Sequence, residues 1–328
     1  MMKLLTVSPS PHVHDKTSVN RIMYDVLIAL IPAFIVSIYF FGFDALRVTF
    51  ISVAFCVFFE WLINLLFFDN KLTIRDGSAA VTGVLLAFNL PSNIPWWIIM
   101  IGSLVSIGIA KMTFGGLGNN IFNPALVGRI FLLFSFPTDM TVWPVNRFAL
   151  KIKPDAITGA TPLAIIKEGL KNNESISAIL NKIPDSLDLL FGNVPGSLGE
   201  ISALALIIGG IYLLLRRVIT WHIPVSFILT VFIFTGIVWL VNPEKSVSPL
   251  IHILSGGLML GAIFMATDMV TSPMSKMGQL IFGIGCGIIT SIIRIWGIYP
   301  EGVSFAIVFM NAITPLINAG FKPKKFGK

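Results

Sequence analysis

Charge is scarce in this sequence. Asp, Glu, Lys and Arg make up 12% of its 328 residues, about half the share of an ordinary soluble domain. A single soluble domain of this length needs far more polar surface to cover its core, so a soluble enzyme is excluded. Cysteine is nearly absent as well. Cys56 and Cys286 lie deep in apolar runs without pairing or metal-ligand spacing, which excludes a disulfide scaffold and leaves neither as a catalytic candidate. The four histidines are scattered, with His12 and His14 in a polar tail. There is no Gly-x-Gly-x-x-Gly, P-loop or His-Glu-x-x-His pattern, and so no recognisable nucleotide site. Hydrophobic residues are what the chain has in plenty: 55% of the total, with a mean hydropathy of +0.88. Such a composition excludes disorder and makes lipid the solvent. The net charge of +7 could suggest nucleic acid, but the positive-inside rule of membrane proteins accounts for it, and no nucleic-acid partner is expected.

A spanning helix needs about 20 largely apolar residues. That window, bounded by Gly, Pro and charge clusters, predicts ten segments: 22–42, 46–68, 77–90, 95–114 and 121–136, then 200–220, 222–241, 249–266, 277–297 and 302–318. The first apolar run follows 21 polar residues without a cleavage pattern, so the first span is expected to act as its own insertion signal. Ten spans put both termini on one side. With the termini inside, thirteen Lys and Arg fall in cytoplasmic segments, including Lys111, Arg216 and Arg217, against three (Arg47, Lys245 and Arg294) outside. The six basic residues between 137 and 199 do not count against this, because a 63-residue connection translocates largely regardless of charge. Trp96, Trp97, Trp239 and Trp296 then fall at outer span ends, as interfacial aromatics should. The expected organisation is a cytoplasmic tail (1–21), a five-helix unit (22–136), an extracytoplasmic connection (137–199), a second five-helix unit (200–318) and a basic cytoplasmic tail (319–328).

An odd number of spans per unit requires the two units to be inverted across the membrane. The third and fifth segments of each, 77–90 and 121–136, then 249–266 and 302–318, read as short or interrupted, the usual pointer to a site at a repeat interface. Close helix packing accounts for any single glycine in them equally well.

The outer connection contains Asp155-Ala156-Ile157-Thr158-Gly159-Ala160-Thr161-Pro162 and then an amphipathic stretch to Leu170. Gly159 and Ala160 leave little bulk around the Thr161 hydroxyl, and Pro162 is suited to open a helix. An accessible hydroxyl there can be modified, although an ordinary Thr cap explains a bare Thr-Pro pair as well. The whole heptapeptide is more specific and is similar to the flavin-transferase acceptor pattern Asp-x-x-Ser/Thr-Gly-Ala-Ser/Thr. By chance that pattern should occur in roughly one chain of this length in several hundred.

The runs Asp76-Gly77-Ser78-Ala79-Ala80-Val81-Thr82-Gly83, Phe122-Asn123-Pro124-Ala125, Pro195-Gly196-Ser197-Leu198-Gly199-Glu200, Ala266-Thr267-Asp268 and Pro300-Glu301-Gly302-Val303-Ser304-Phe305-Ala306 resemble, in order and over nearly the whole chain, the RnfD/NqrB family of membrane flavoproteins. The RnfD branch is closer, because the NqrB branch carries a longer cytoplasmic extension before its first span. Thr158 departs from the more usual Ser but still supplies a hydroxyl. The resemblance implies an electron-carrying inner-membrane subunit of a bacterial Rnf complex, an NAD:ferredoxin oxidoreductase that moves Na+ or H+. It further implies FMN on Thr161 through a phosphoester, with Asp155, Thr158, Gly159 and Ala160 as the attachment motif, and a second, noncovalent flavin (riboflavin) in the membrane domain. Implied partners are a flavin transferase for maturation, a periplasmic-facing FMN subunit and membrane iron–sulfur subunits. A phosphoester tether keeps an outward-facing flavin from being lost while leaving its redox ring unmodified.

Other positions carry weaker signals. Glu60 and Arg129 fall inside predicted spans, where an ionisable group is by default a functional hypothesis and otherwise a snorkelling side chain or a structural pair. Asp76 and Asp268 sit at the cytoplasmic ends of the two matched short spans, where carboxylates attract cations, and Asp76 equally suits a helix cap. These four are the candidates for an ion path. Asn123-Pro124-Ala125 copies the aquaporin tripeptide, but the second unit offers only Asn311-Ala312 with Pro315 later. The expected fold is therefore an all-α polytopic membrane protein, about ten helices as two inverted repeats with an extracytoplasmic flavin-bearing loop. The rival readings are the matching subunit of a Na+-translocating NADH:quinone oxidoreductase and, in another class, a passive channel or secondary transporter.

Overall fold

The computed structural model describes residues 18–67, 76–144, 158–172 and 174–322, with residue 158 as backbone only. Helix α1 (Val19–Phe41) starts at Ser18, whose hydroxyl accepts from the Arg21 N–H, and stops at Gly42, which turns with φ +64°. Helix α2 (Phe43–Phe67) follows directly. Helix α3 (Ser78–Phe88) has 11 residues, about 16 Å of rise and roughly half a bilayer core. Helix α4 (Trp96–Leu104) continues through a π turn (Val105–Ile109) into a 3-10 turn (Met112–Phe114). Helix α5 (Pro124–Ser135) is capped by Asn123, whose side chain accepts from the Ala125 and Leu126 N–H groups, with Pro124 set at the position where its missing N–H matters least.

The connection between the two helical parts holds α6 (Pro137–Thr141), α7 (Pro162–Lys171), α8 (Ile176–Lys182) and α9 (Ser186–Phe191). A two-residue pair, β1 (Trp143–Pro144) with β2 (Thr158–Gly159), sets Trp143 opposite Gly159. Then come α10 (Ala203–Leu215), α11 (His222–Val241), α12 (Pro249–Leu254), a break at Gly256 with φ +71°, and α13 (Leu258–Leu260) running into a second π turn (Gly261–Met265). Helices α14 (Lys276–Trp296) and α15 (Val303–Gly320) complete the chain.

Among the described residues, six helical stretches are long and apolar enough to cross a membrane: α1, α2, Trp96–Phe114, α11, α14 and α15. Their outward faces carry Ile28, Ile31, Ile35, Phe50, Leu229, Ile233 and Ile237 in the open. A surface so continuously apolar belongs in lipid, and the chain is a multi-pass helical membrane protein. The remaining apolar segments, α3, α5, α10 and the broken α12–α13, are shorter than a span. The predicted interruption of 302–318 is corrected: α15 runs unbroken through Pro315, as membrane helices tolerate when neighbouring hydroxyls and packing re-satisfy the freed backbone. The shortened element is instead α10.

Packing follows one scheme in both parts of the chain. Helix α2 lies against α3 and α4, and α4 lies against α5; likewise α11 lies against α12 and α14, and α14 against α15. Helices α1 and α10 meet each other, as do α5 and α15. Glycines allow the close approaches. Ser52 Oγ donates to the Gly83 carbonyl at 2.7 Å, and a Cβ on Gly83 would lie 2.7 Å from Val53 Cα. At the α1–α10 contact a Cβ on Gly209 would run into the Ala29 carbonyl oxygen, which as backbone cannot swing aside. Gly209→Ala is therefore expected to destabilise the fold by about 1–3 kcal/mol. The check is a lowered thermal midpoint in detergent, with Gly320→Ala, which has open space around it, unchanged.

Asn89 and Leu90 satisfy the Leu85, Leu86 and Ala87 carbonyls at the end of α3, but the carbonyls of Phe88 and of Leu90 beyond it need donors from elsewhere. The segment 195–200 provides them. Gly199 N donates to Phe88 O at 2.9 Å and Leu198 N to Leu90 O at 3.2 Å, while Ser37 Oγ of α1 donates to Leu198 O. Gly199 rests on the Phe88 ring, where any Cβ would clash. The connection thus folds back into the helical body and carries Glu200 in with it.

Candidate functional site

Two cavities lie along α5. The larger, about 370 Å³, is lined by Thr161, Arg129, Glu200, Glu301, Ser304 and Gly256 together with the aromatic rings of Trp143, Tyr299 and Phe305. Its volume is within the range of small-molecule sites. Thr161 is the N-cap of α7: its Oγ1 accepts from the Ala164 N–H at 3.3 Å and is half-buried. Cap and cavity wall are therefore one residue. Helix α7 is held against the helical body by burial of Leu163 and Ile166 and by Lys167, whose Nζ donates to Tyr299 O at 2.6 Å and Ile293 O at 3.3 Å. Burial lowers the pKa of Lys167 from its ordinary value. Gly159 and Ala160 lead into the cap. Asp155 lies outside the described residues.

Arg129 comes from α5 and is 8% exposed. Its Nη1 donates to Asn89 Oδ1 at 2.6 Å and to Ser304 Oγ at 3.0 Å. Glu301, between α14 and α15, accepts from Arg294 Nη2 at 3.0 Å and from Gly257 N at 2.9 Å. Burial pushes its carboxyl up, but the Arg294 and Arg129 guanidinium groups outweigh that and hold it below the usual carboxylate range. Glu200, before α10, is different. Its Oε1 accepts from Ser197 N at 3.2 Å, its Oε2 has no partner, and burial pushes its carboxyl up.

The smaller cavity, about 80 Å³, lies at the start of α5 and is lined by Asn120, Asn123, Ser78, Thr82, Lys111 and Asp268 among others. Behind it, Lys111 Nζ donates to Glu60 Oε2 at 2.8 Å and to Ser78 Oγ at 2.6 Å, and both charged side chains are 1% exposed. Ser78 Oγ in turn donates to Asp76 Oδ1 at 2.6 Å, and the Ser78 N–H to the same oxygen at 2.8 Å. Asp268 accepts from Thr271 Oγ1 at 3.2 Å and Val270 N at 3.4 Å.

Of the four ion-path candidates, the structure links Glu60 and Asp76 through Lys111 and Ser78, sets Asp268 on the wall of the small cavity that Lys111 also lines, and sets Arg129 apart, on the wall of the larger cavity beside Thr161. Neither Glu60 nor Arg129 snorkels. Asp76 does cap α3. Lys111, counted from sequence as a loop charge, is corrected to a buried partner of Glu60; the signal for it was a single cation inside the predicted span 95–114. Glu200, Glu301, Asn89 and Lys167 had no role assigned from sequence. Glu200 and Glu301 stood only as members of the runs that carry the family resemblance, and Asn89 and Lys167 were marked only by polarity at the edge of apolar runs, which does not distinguish a site from a span boundary.

A covalent flavin, which the attachment motif implies, can be tested against this cavity. An orphaned buried carboxyl oxygen on Glu200, aromatic walls and a Gly256 whose Cβ would collide with Glu301 suit a flat, partly polar ring system, and the residues fit.

A lipid-embedded helical body, with a polar aromatic cavity under a capped threonine and a buried ion-pair cluster, defines a membrane protein built to hold a ligand and charge within the bilayer. Comparison gives it a family: the chain belongs to the NQR2, RnfD, RnfE family, matched over residues 6–327. It is 47% identical over 325 residues to the D subunit of the Na+-translocating ferredoxin:NAD+ oxidoreductase complex of Acetobacterium woodii, covering 98% of this chain and 95% of the relative. It is 43% identical to the D subunit of the proton-translocating ferredoxin:NAD+ oxidoreductase complex of Clostridium ljungdahlii, covering 99% and 96%. It is 39% identical to the D subunit of the ion-translocating oxidoreductase complex of Stutzerimonas stutzeri, covering 95% and 93%.

Proposed function

We propose that this chain is the RnfD-type subunit of an ion-translocating ferredoxin:NAD+ oxidoreductase, passing electrons through FMN esterified to Thr161 while Na+ or H+ crosses the membrane. The observation that carries the reading is the placement of Thr161, at once a helix cap and part of the wall of an aromatic-lined cavity. FMN supplies one-electron and two-electron redox chemistry that no side chain here possesses. The chain's own residues bind and shield it. The first-turn N–H groups of α7 face the hydroxyl that would carry the phosphate, and a helix N-terminus stabilises that negative charge. Trp143, Tyr299 and Phe305 wall the space against water. Lys167 fixes α7, so the tether starts from a held position. Glu60, Lys111 and Asp76, with Asp268 on the adjoining small cavity, are the candidates for a cation path, and a second, noncovalent flavin would lie in the membrane domain.

The repeated packing scheme supports an inverted pair of five-helix units, with the four short or broken segments counted as partial spans. On that reading both termini are cytoplasmic, residues 137–199 are outside the inner membrane, and the electron partners are Rnf subunits carrying FMN and iron–sulfur centres. The function is tested by the intact mass of the chain purified from cells that express its flavin transferase, which should exceed the sequence mass by one esterified FMN. An unmodified mass overturns the reading. Sidedness has its own check. A reporter active only outside the cytoplasm should work when fused within residues 165 to 190 and fail when fused after Lys328, and the reverse pattern would overturn the outer flavin site.

A further inference from the structure

The guanidinium of Arg129 is only half used. It has five N–H donors, and two hydrogen bonds, both from Nη1, account for all its partners among the described residues. Asn89 is itself held for this purpose, because its Nδ2 donates to Leu85 O at 2.6 Å and so turns its Oδ1 toward Arg129. The Nε and Nη2 donors have no partner among the described residues, in a side chain that is 8% exposed and lines the cavity of Thr161. The nearby carboxyls do not take them. Glu301 is engaged by Arg294 and by the Gly257 and Val303 N–H groups. Glu200 makes no ion pair with Arg129, its Oε2 is orphaned, and burial favours its neutral acid. Asn89 and Ser304 are neutral, so the hydrogen bonds of Arg129 leave its charge uncancelled, and Glu301 and Glu200 act on it only at longer range. A buried cation with free donors and no carboxylate in contact favours the arrival of a negative group.

Resting on the reading that FMN is carried by Thr161, we propose that Arg129 is the residue that stabilises the negative charge gained by the flavin ring on reduction, through its free Nε–Nη2 edge. One electron from a one-electron carrier of a partner subunit enters the ring. No bond forms or breaks and no proton is required, so the ring's charge falls by one and the guanidinium offsets it. In a partly enclosed, aromatic-lined cavity such a charge contact is stronger than in bulk solvent. Arg129 then sets how readily this flavin accepts an electron, a role distinct from that of the cation-path candidates.

The test uses the assembled complex, matured with its flavin transferase, as wild type, Arg129→Lys and Arg129→Gln. Fluorescence of the chain on a denaturing gel reports attachment, and a redox titration followed by visible absorbance reports the potential of that flavin. Attachment should be equal in all three. In Arg129→Gln the one-electron equilibrium should fall at least tenfold, about 59 mV more negative. Arg129→Lys keeps the charge but has one nitrogen for Asn89, Ser304 and the ring, so it should shift in the same direction by less. Labelled variants with the wild-type potential overturn the proposal. If Arg129→Gln does not assemble, Arg129→Lys decides alone: a negative shift supports the proposal and an unchanged potential overturns it. An unlabelled wild type would instead overturn the flavin reading itself.

Discussion

Thr161→Ala should abolish the covalent flavin completely. Removing the hydroxyl removes the only atom at that position able to form the phosphoester, so chain expressed with the transferase should lose all fluorescence on a denaturing gel. The substitution also deletes the α7 cap, which accepts from Ala164 N at 3.3 Å, at about 1 kcal/mol of stability. That loss alone leaves the protein folded, and Lys167 still ties α7 to Tyr299 and Ile293. Thr161→Ser restores both cap and acceptor and should keep label. Thr158→Ala should keep label as well, with slower attachment. Asp155→Asn should reduce labelling if the transferase reads that carboxylate. Fluorescence surviving in Thr161→Ala would refute the site.

Glu60 and Lys111 should behave as one unit. Their side chains are 2.8 Å apart and each 1% exposed, so deleting either leaves a bare charge in the interior, at about 3–5 kcal/mol. Glu60→Leu and Lys111→Met are each expected to lower the yield of folded chain sharply. The double variant, with two apolar side chains of similar volume, should recover much of that loss, because a buried pair replaced as a whole is often neutral. Yield and thermal midpoint in detergent complete the cycle. A double variant no more stable than the worse single one would show that the two do not compensate each other. Glu60→Gln separates structure from transport, since a complex that assembles and moves ions at the wild-type electron-to-ion ratio would assign the pair to stability alone.

Apolar segments and chain class were legible because lipid imposes them residue by residue: every spanning stretch must be apolar, and Gly, Pro and charge punctuate the ends. The proposed attachment motif is legible for another reason. A transferase reads its acceptor as local sequence, so such a motif is written in consecutive residues. Lys111 was misread because a charge census treats each cation alone, whereas its place is set by Glu60, 51 residues earlier. The union of Arg129 with Thr161 escaped for the same reason. It depends on the connection folding back, which rests on two backbone hydrogen bonds to α3 and leaves no periodic pattern. The continuity of α15 was missed because Pro315 reads as a break in water-soluble terms, while a packed membrane helix absorbs it.

The capping of α3 by Gly199 and Leu198 has a consequence for how the chain is made. The carbonyls of Phe88 and Leu90 meet their donors only after more than a hundred further residues have left the ribosome, roughly 6–20 s at ordinary elongation rates. During that interval α3 is a short hydrophobic rod with an unfinished end, and Ser37 of α1 lacks the carbonyl it will bind. The first five helical segments are therefore not an independent folding unit that waits passively for the second. Their last step belongs to a segment synthesised after α9, and until it arrives water or another donor has to satisfy those two carbonyls.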